Sequence, residues 1–208
     1  MSIENKNIPQ QEKGNHVDIR QESTLHNREA AVQLFEAAKK RLLEVSSWGE
    51  IADGMSAKFQ LVNAEGQEVG RLAQVGDHFK IHIPGAPSSA SGEGNDWVRI
   101  ENIQDERDET ADLQIVSIRV RAASNPQKPE TGPAHFFNEE ATSTFVVKRK
   151  GKTVSAEVHG RNEVPNLHGK GVLDTIRHVV VGVSAIVGFS NQQWNNLVKG
   201  LIEPKKER

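Results

Sequence analysis

The segment "HGRNEVPN", His159 to Asn166, sets an imidazole, a guanidinium and a carboxylate at alternate positions. In an active site, Glu163 or His159 would serve as a general base, and Arg161 would clamp an anionic group. The same residues suit a polar corner at the end of a strand. Gly160 permits a bend, Pro165 ends a ladder, and Arg161, Asn162 and Glu163 can satisfy strand-end backbone groups. No second motif accompanies the trio, so the corner is the preferred reading, with Arg161 tied to Glu163 or to a backbone carbonyl. The catalytic reading, a small hydrolase or isomerase using His159, Arg161 and Glu163, is the alternative.

Other stretches offer binding groups rather than reactive ones. "AHFFNEEAT" sets His135 beside Phe136 and Phe137. These aromatics would either cover a cavity or pin a loop to the core, and packing is their commoner use. Trp97 closes the glycine-rich loop "IPGAPSSASGEGNDW", which lacks the G-K-[ST] of a phosphate loop and reads as a surface loop, or as a mobile rim if a ligand binds. Arg161, Trp97, His135, Phe136 and Phe137 are therefore the candidate ligand contacts. His78 and His82 share one face of a strand but stand roughly 13 Å apart there, too far to hold one ion together. No serine sits in a nucleophile elbow and no histidine pair has ligand spacing, so no metal or cofactor is expected.

Composition narrows the classes. The 208 residues carry 26% charged side chains and a net charge of −2, without the cationic excess of a nucleic-acid surface. Cysteine is absent, which excludes disulfides and thiolate chemistry. "MSIENKNIPQQEKGNH" has no apolar segment of a secretory signal. The run "HVVVGVSAIVGF" falls short of the roughly 20 residues that span a bilayer. A cytoplasmic protein without a membrane span is the expectation.

The elements that would position these residues follow from periodicity. Residues 1–24 are polar and read as a flexible arm, with a short strand around His16–Arg20 as the other reading. Ala31, Phe35, Ala38, Leu42 and Val45 form one stripe of an amphipathic helix from Arg28 to about Ser46, capped by Asn27. Strands are read at Ala57–Leu61, Gln67–Leu72, "HFKIHI", "DWVRIENI" and "LQIVSIRVRA", with "DERDET" as a charged turn. "ATSTFVVKRKGKTVSAEVHG" is a hairpin turning at "KRKGK". Leu173 to about Val187 reads as a long, largely buried helix, and Ser190 with Gln193 as the capping box of another.

The expected fold is α+β, with about six strands in a curved antiparallel sheet packed on a long apolar C-terminal helix. One domain over 25–203 and a basic tail, 204–208, complete the chain. This order resembles helix-grip lipid-binding folds, in which a long final helix closes a sheet over a cavity. The leading strand and paired short helices of those folds are not read in this sequence. The alternating strands, the apolar helix and the absence of a catalytic signature point to a non-catalytic domain that grips a small apolar or amphipathic ligand. A protein-interaction or homo-oligomer module is the other non-enzymatic reading.

Overall fold

A computed structural model describes residues 6–52, 57–84, 92–129, 132, 134–135, 137–165 and 191–203. In chain order they form β1 (Asn15–Thr24), α1 (Arg28–Leu43), a 3-10 turn (Val45–Ser47), α2 (Trp48–Ile51), β2 (Lys58–Val62), β3 (His78–His82), β4 (Asp96–Asp108), β5 (Leu113–Ala122), β6 (Thr142–Lys150) and β7 (Thr153–Glu163). A further helix, α3, covers residues 191–202. The strands make one curved, wholly antiparallel sheet in the order β1-β7-β6-β5-β4-β3-β2. The architecture is α+β, as the pattern of elements implies.

Helix α1 forms where the apolar stripe requires it. The Asn27 side chain accepts from the amide of Ala30, Glu29 lies in the first turn, and Lys40 and Arg41 lie in the last. Ala31, Phe35, Ala38 and Leu42 are buried against the sheet. The helix stops at Leu43, earlier than the stripe suggested, and Val45 continues the stripe from the 3-10 turn. The indole N–H of Trp48 donates to the carbonyls of Arg41 and Leu42, at 3.2 and 3.1 Å, which satisfies acceptors the last helical turn leaves open. The Trp48 ring packs at 4.7 Å from Phe145, 5.4 Å from Phe59 and 5.6 Å from Phe79, anchoring the helical segment to three strands. Helix α3 brings Leu197, Val198, Leu201 and Ile202 into the same core. It passes so close to α2 that a Cβ on Gly200 would lie 2.2 Å from the carbonyl oxygen of Ile51.

Several expectations need correction. The sheet has seven strands, not about six. Gln67–Leu72 is not a strand: its described ladder contact is one bridge, Val62 with Glu68, and the segment is otherwise irregular. "DERDET" is not wholly a turn, because β4 runs through Asp108 before reversing. "HGRNEVPN" is not a corner beyond a strand, because β7 continues through Glu163 between β6 and β1. Residues 15–24, read within a flexible arm, are a ten-residue edge strand. The leading strand that seemed missing is therefore present. Its polar surface hid it: only Val17, Ile19 and Ser23 are even partly buried. The long helix expected over 173–187 lies outside the described residues, as does Phe136.

Residues 6–13, just before β1, cross the outer face of the sheet as a strap. Asn7 is buried there, donating to Ser117 Oγ at 2.8 Å and accepting from Asn102 at 2.9 Å. Lys6 pairs with Glu106, and Lys13 with Glu140. Among the described residues, no helix is long and apolar enough to cross a membrane.

Candidate functional site

Period-two alternation gives the sheet an apolar concave face, on which α1, α2 and α3 pack. A cavity of about 80 Å³ remains within that face. Phe59, Phe79, Ile81, Val98, Val120, Phe145 and Trp194 form its apolar wall. The Trp194 ring stands 5.3 Å from Phe145 and 6.2 Å from Phe59. Polar groups gather in the remaining lining: Asp96 at the start of β4, His135 from the irregular segment before β6, Ser143, Asn191, Gln193 and Glu163.

Glu163 reaches the cavity because β7 carries a bulge. Val17 pairs with Gly160, and Asn15 pairs with Glu163, so two steps along β1 match three along β7. The extra residue resets the alternation and turns Glu163 to the inner face. Asn162 takes up the distortion at φ 57°, in the left-handed region that asparagine tolerates better than most side chains. The strap fixes it there. Asn162 Oδ1 accepts from the amides of Glu12 and Lys13, its Nδ2 donates to the Gln10 carbonyl, and its own amide donates to Gln11 Oε1.

The Glu163 side chain then lies across Gly160, where a Cβ would meet its Oε1 at 2.2 Å. The residue is 6% exposed, and among the described residues its carboxyl accepts no hydrogen bond. Burial pushes the carboxyl up to about 7, against the opposing pull of Arg161. His135 is pushed the other way: burial lowers the imidazole from its ordinary value and favours the neutral ring. The Phe137 amide donates to His135 Nδ1 at 2.9 Å, which leaves the ring proton on Nε2.

The sequence candidates divide between the two faces. Glu163, His135 and Phe137 line the cavity. His159 and Arg161 are on the outer face, so the trio of "HGRNEVPN" does not converge. His159 bonds Asp18 through Nδ1 at 2.6 Å and Glu157 through Nε2 at 3.0 Å. Burial would lower its pKa, but these two carboxylates outweigh burial and raise it. Arg161 donates to the carbonyls of Gly160 and Val17 and, at 2.7 Å, to Asp18. It ties β7 to β1 through backbone carbonyls, not through Glu163. Trp97 also faces outward, packed with Val62 and Ala134, and its indole donates to the Gly92 carbonyl. Missed from the sequence were Asp96, Ser143, Asn191 and Trp194. Ser143 could have been found, since it continues the inward row of Phe145 and Val147.

No protein-family model matches the chain, and no curated protein matches it in sequence. Among solved structures, a hypothetical protein from Helicobacter pylori aligns at 12% identity and TM-score 0.49, covering 95% of this chain and 94% of that one. Norcoclaurine synthase from Thalictrum flavum, in complex with dopamine and hydroxybenzaldehyde, aligns at 12% identity and TM-score 0.37, covering 93% and 90%. Ara h 8.0201 aligns at 16% identity and TM-score 0.31, covering 88% and 99%. Scores at this level assign neither a family nor a chemistry to this chain.

Proposed function

We propose that this protein binds a small apolar or amphipathic ligand inside the concave face of its sheet, without chemistry on it. The observation that carries this reading is the cavity itself: an aromatic and aliphatic wall with a few polar groups, the usual composition of a small-molecule site. Its volume of about 80 Å³ suits a short alkyl chain. It is about half the roughly 150 Å³ of an apolar cavity that admits benzene, so a ring would enter only with a shift of the wall. The interaction-module reading calls for a broad exposed apolar patch, and among the described residues the large exposed hydrophobics are Leu72 and Val75. The enzymatic reading built on His159, Arg161 and Glu163 has its three groups on opposite faces.

The test is an NMR titration with n-butanol and benzyl alcohol, following the methyl groups of Ile81, Val98 and Val120. Saturable shifts confined to these methyls are expected. Val120→Phe fills the cavity and should abolish them while the protein stays folded, at a cost of about 1–3 kcal/mol from overpacking. Binding that survives Val120→Phe unchanged would place the ligand elsewhere and overturn the reading.

A further inference from the structure

We infer that the cavity selects cations: its ligand is a small amine with an apolar body, and Glu163 is the counter-ion. This deepens the proposed function and rests on it.

Three observations converge. First, the bulge at Asn162 aims the carboxyl of Glu163, a residue 94% buried, into an apolar cavity, where among the described residues it accepts no hydrogen bond. A carboxyl in such a place is costly to the free protein unless something arrives to pair with it. Second, the site is shaped to keep that carboxyl where it is. Gly160 leaves the space it occupies, and four hydrogen bonds from the strap to Asn162 hold the bulge. Third, the lining is complementary to a positive charge. Its ionisable groups among the described residues are Glu163, Asp96 and His135, with neither lysine nor arginine. The nearby Arg161 guanidinium is engaged on the outer face by Asp18 and two carbonyls. Among the described residues, an anionic ligand would meet the Glu163 carboxyl and neither lysine nor arginine. An ammonium group would meet a carboxylate and the aromatic faces of Phe59, Phe145 and Trp194, which also attract cations.

The ionisation of Glu163 sets the pH dependence. Among the described residues, Arg161 on its own strand acts on it by charge, and Asp96 from β4 and His135 from the segment before β6 share the lining. At about pH 8 the carboxyl is ionised and pairs with the ammonium. At about pH 5 it holds a proton and the preference for a cation fades.

The experiment compares three probes of similar size, n-butylamine, n-butanol and butyrate, by NMR titration of the full chain at about pH 8 and pH 5. Wild type should bind n-butylamine at least about tenfold more tightly than n-butanol at the higher pH, and butyrate more weakly than either. Glu163→Gln keeps the shape and removes the charge. It should remove the preference, bringing n-butylamine and n-butanol to similar affinity. Gly160→Ala, which displaces the carboxyl, should reduce the preference too. Equal binding of the amine and the alcohol by wild type overturns the inference and leaves the cavity reading intact. So does a preference that survives Glu163→Gln but vanishes in Asp96→Asn. Binding of none of the three probes overturns both.

Discussion

Glu163 and His159 lie on one strand, face opposite ways and lose stability in the same pH direction. The folded value of Glu163, about 7, stands above the ordinary carboxylate value of 4.5. Between those limits the folded protein holds a proton that the unfolded chain has released, so stability falls as pH rises through the window and levels off above it. The ionised form is disfavoured by roughly 3 kcal/mol on that basis. His159 is raised above 6.5, because Glu157 and Asp18 hold its imidazolium against the effect of burial. Its contribution is complete below 6.5 and is lost as pH rises through the raised value. Glu157 opposes these at the acid end. Burial would raise it, yet its bonds to His159 and Ser155, with the charges of Lys148 and Arg20, bring it down to about 2. Its contribution is therefore present above 4.5 and lost as pH falls toward 2. His135 and His78, both lowered by burial, oppose the decline near neutral pH, since their contribution grows as pH rises toward 6.5, so the assignment is read from variants against wild type. Glu163→Gln should flatten the decline between about pH 5 and 7.5, and His159→Gln should remove the part above about pH 6.5. A decline in Glu163→Gln as steep as in wild type between about pH 5 and 7.5 contradicts this assignment.

Among the elements, the strap and the hairpin tips carry distinct loads. Removing residues 1–13 leaves β1 intact but strips Asn162 of its four bonds. The deletion should lower ligand affinity more than stability, read by NMR titration beside thermal melting. Asn162→Gly should keep the left-handed backbone and lose the side-chain bonds, whereas Asn162→Ala loses both, so alanine should be the weaker binder. At the other end of the sheet, Arg149 is 1% exposed and holds three acceptors: Gln114 Oε1 at 2.6 Å, the Gly151 carbonyl at 2.7 Å and Asp112 Oδ1 at 2.8 Å. Arg28 of α1 grips the same Asp112. Arg149→Met should therefore cost about 2–4 kcal/mol in chemical denaturation, because it strands partners that are partly buried. The sequence shows the inward rows of β5 and β7 plainly, since Val116, Ile118, Val120, Ala156 and Val158 recur at every second position, whereas in β6 Val146 fills the gap between Phe145 and Val147. The aim of Glu163 is not legible by that rule. Strict alternation from Val158 and Gly160 would send residue 162 inward and residue 163 outward, and a bulge is a one-residue exception to the period. The pairing of Gly160 with Asn162, two residues suited to bends and left-handed backbone, is the signal that could have raised it.

For the molecule as a whole, the sheet is joined across almost its full length in sequence. β1, the first strand, is hydrogen-bonded to β7, the last, over a register from Asn15–Glu163 to Thr24–Thr153. Removing residues 1–24 would strip that neighbour from β7 and expose its apolar inner row beside Val17 and Ile19. Such a truncation should lower the melting midpoint by many degrees and form larger species than the full chain on size-exclusion chromatography. The cavity was legible only as a consequence of the helix-grip resemblance. Its apolar wall could be read from alternation, but an unfilled volume depends on how side chains from four or more elements fall short of one another.

The same pairing has a consequence during synthesis. A ribosome adding about 5–20 residues per second needs on the order of ten seconds to make the stretch between β1 and its partner. For that interval β1 is a strand without a ladder, the condition in which edges recruit other chains. Asp18, Arg20 and Glu22, spaced along one of its faces, make it a poor template for a neighbouring nascent chain. The polarity that conceals β1 as a strand thus keeps the newly made N-terminus soluble until β7 emerges to claim it.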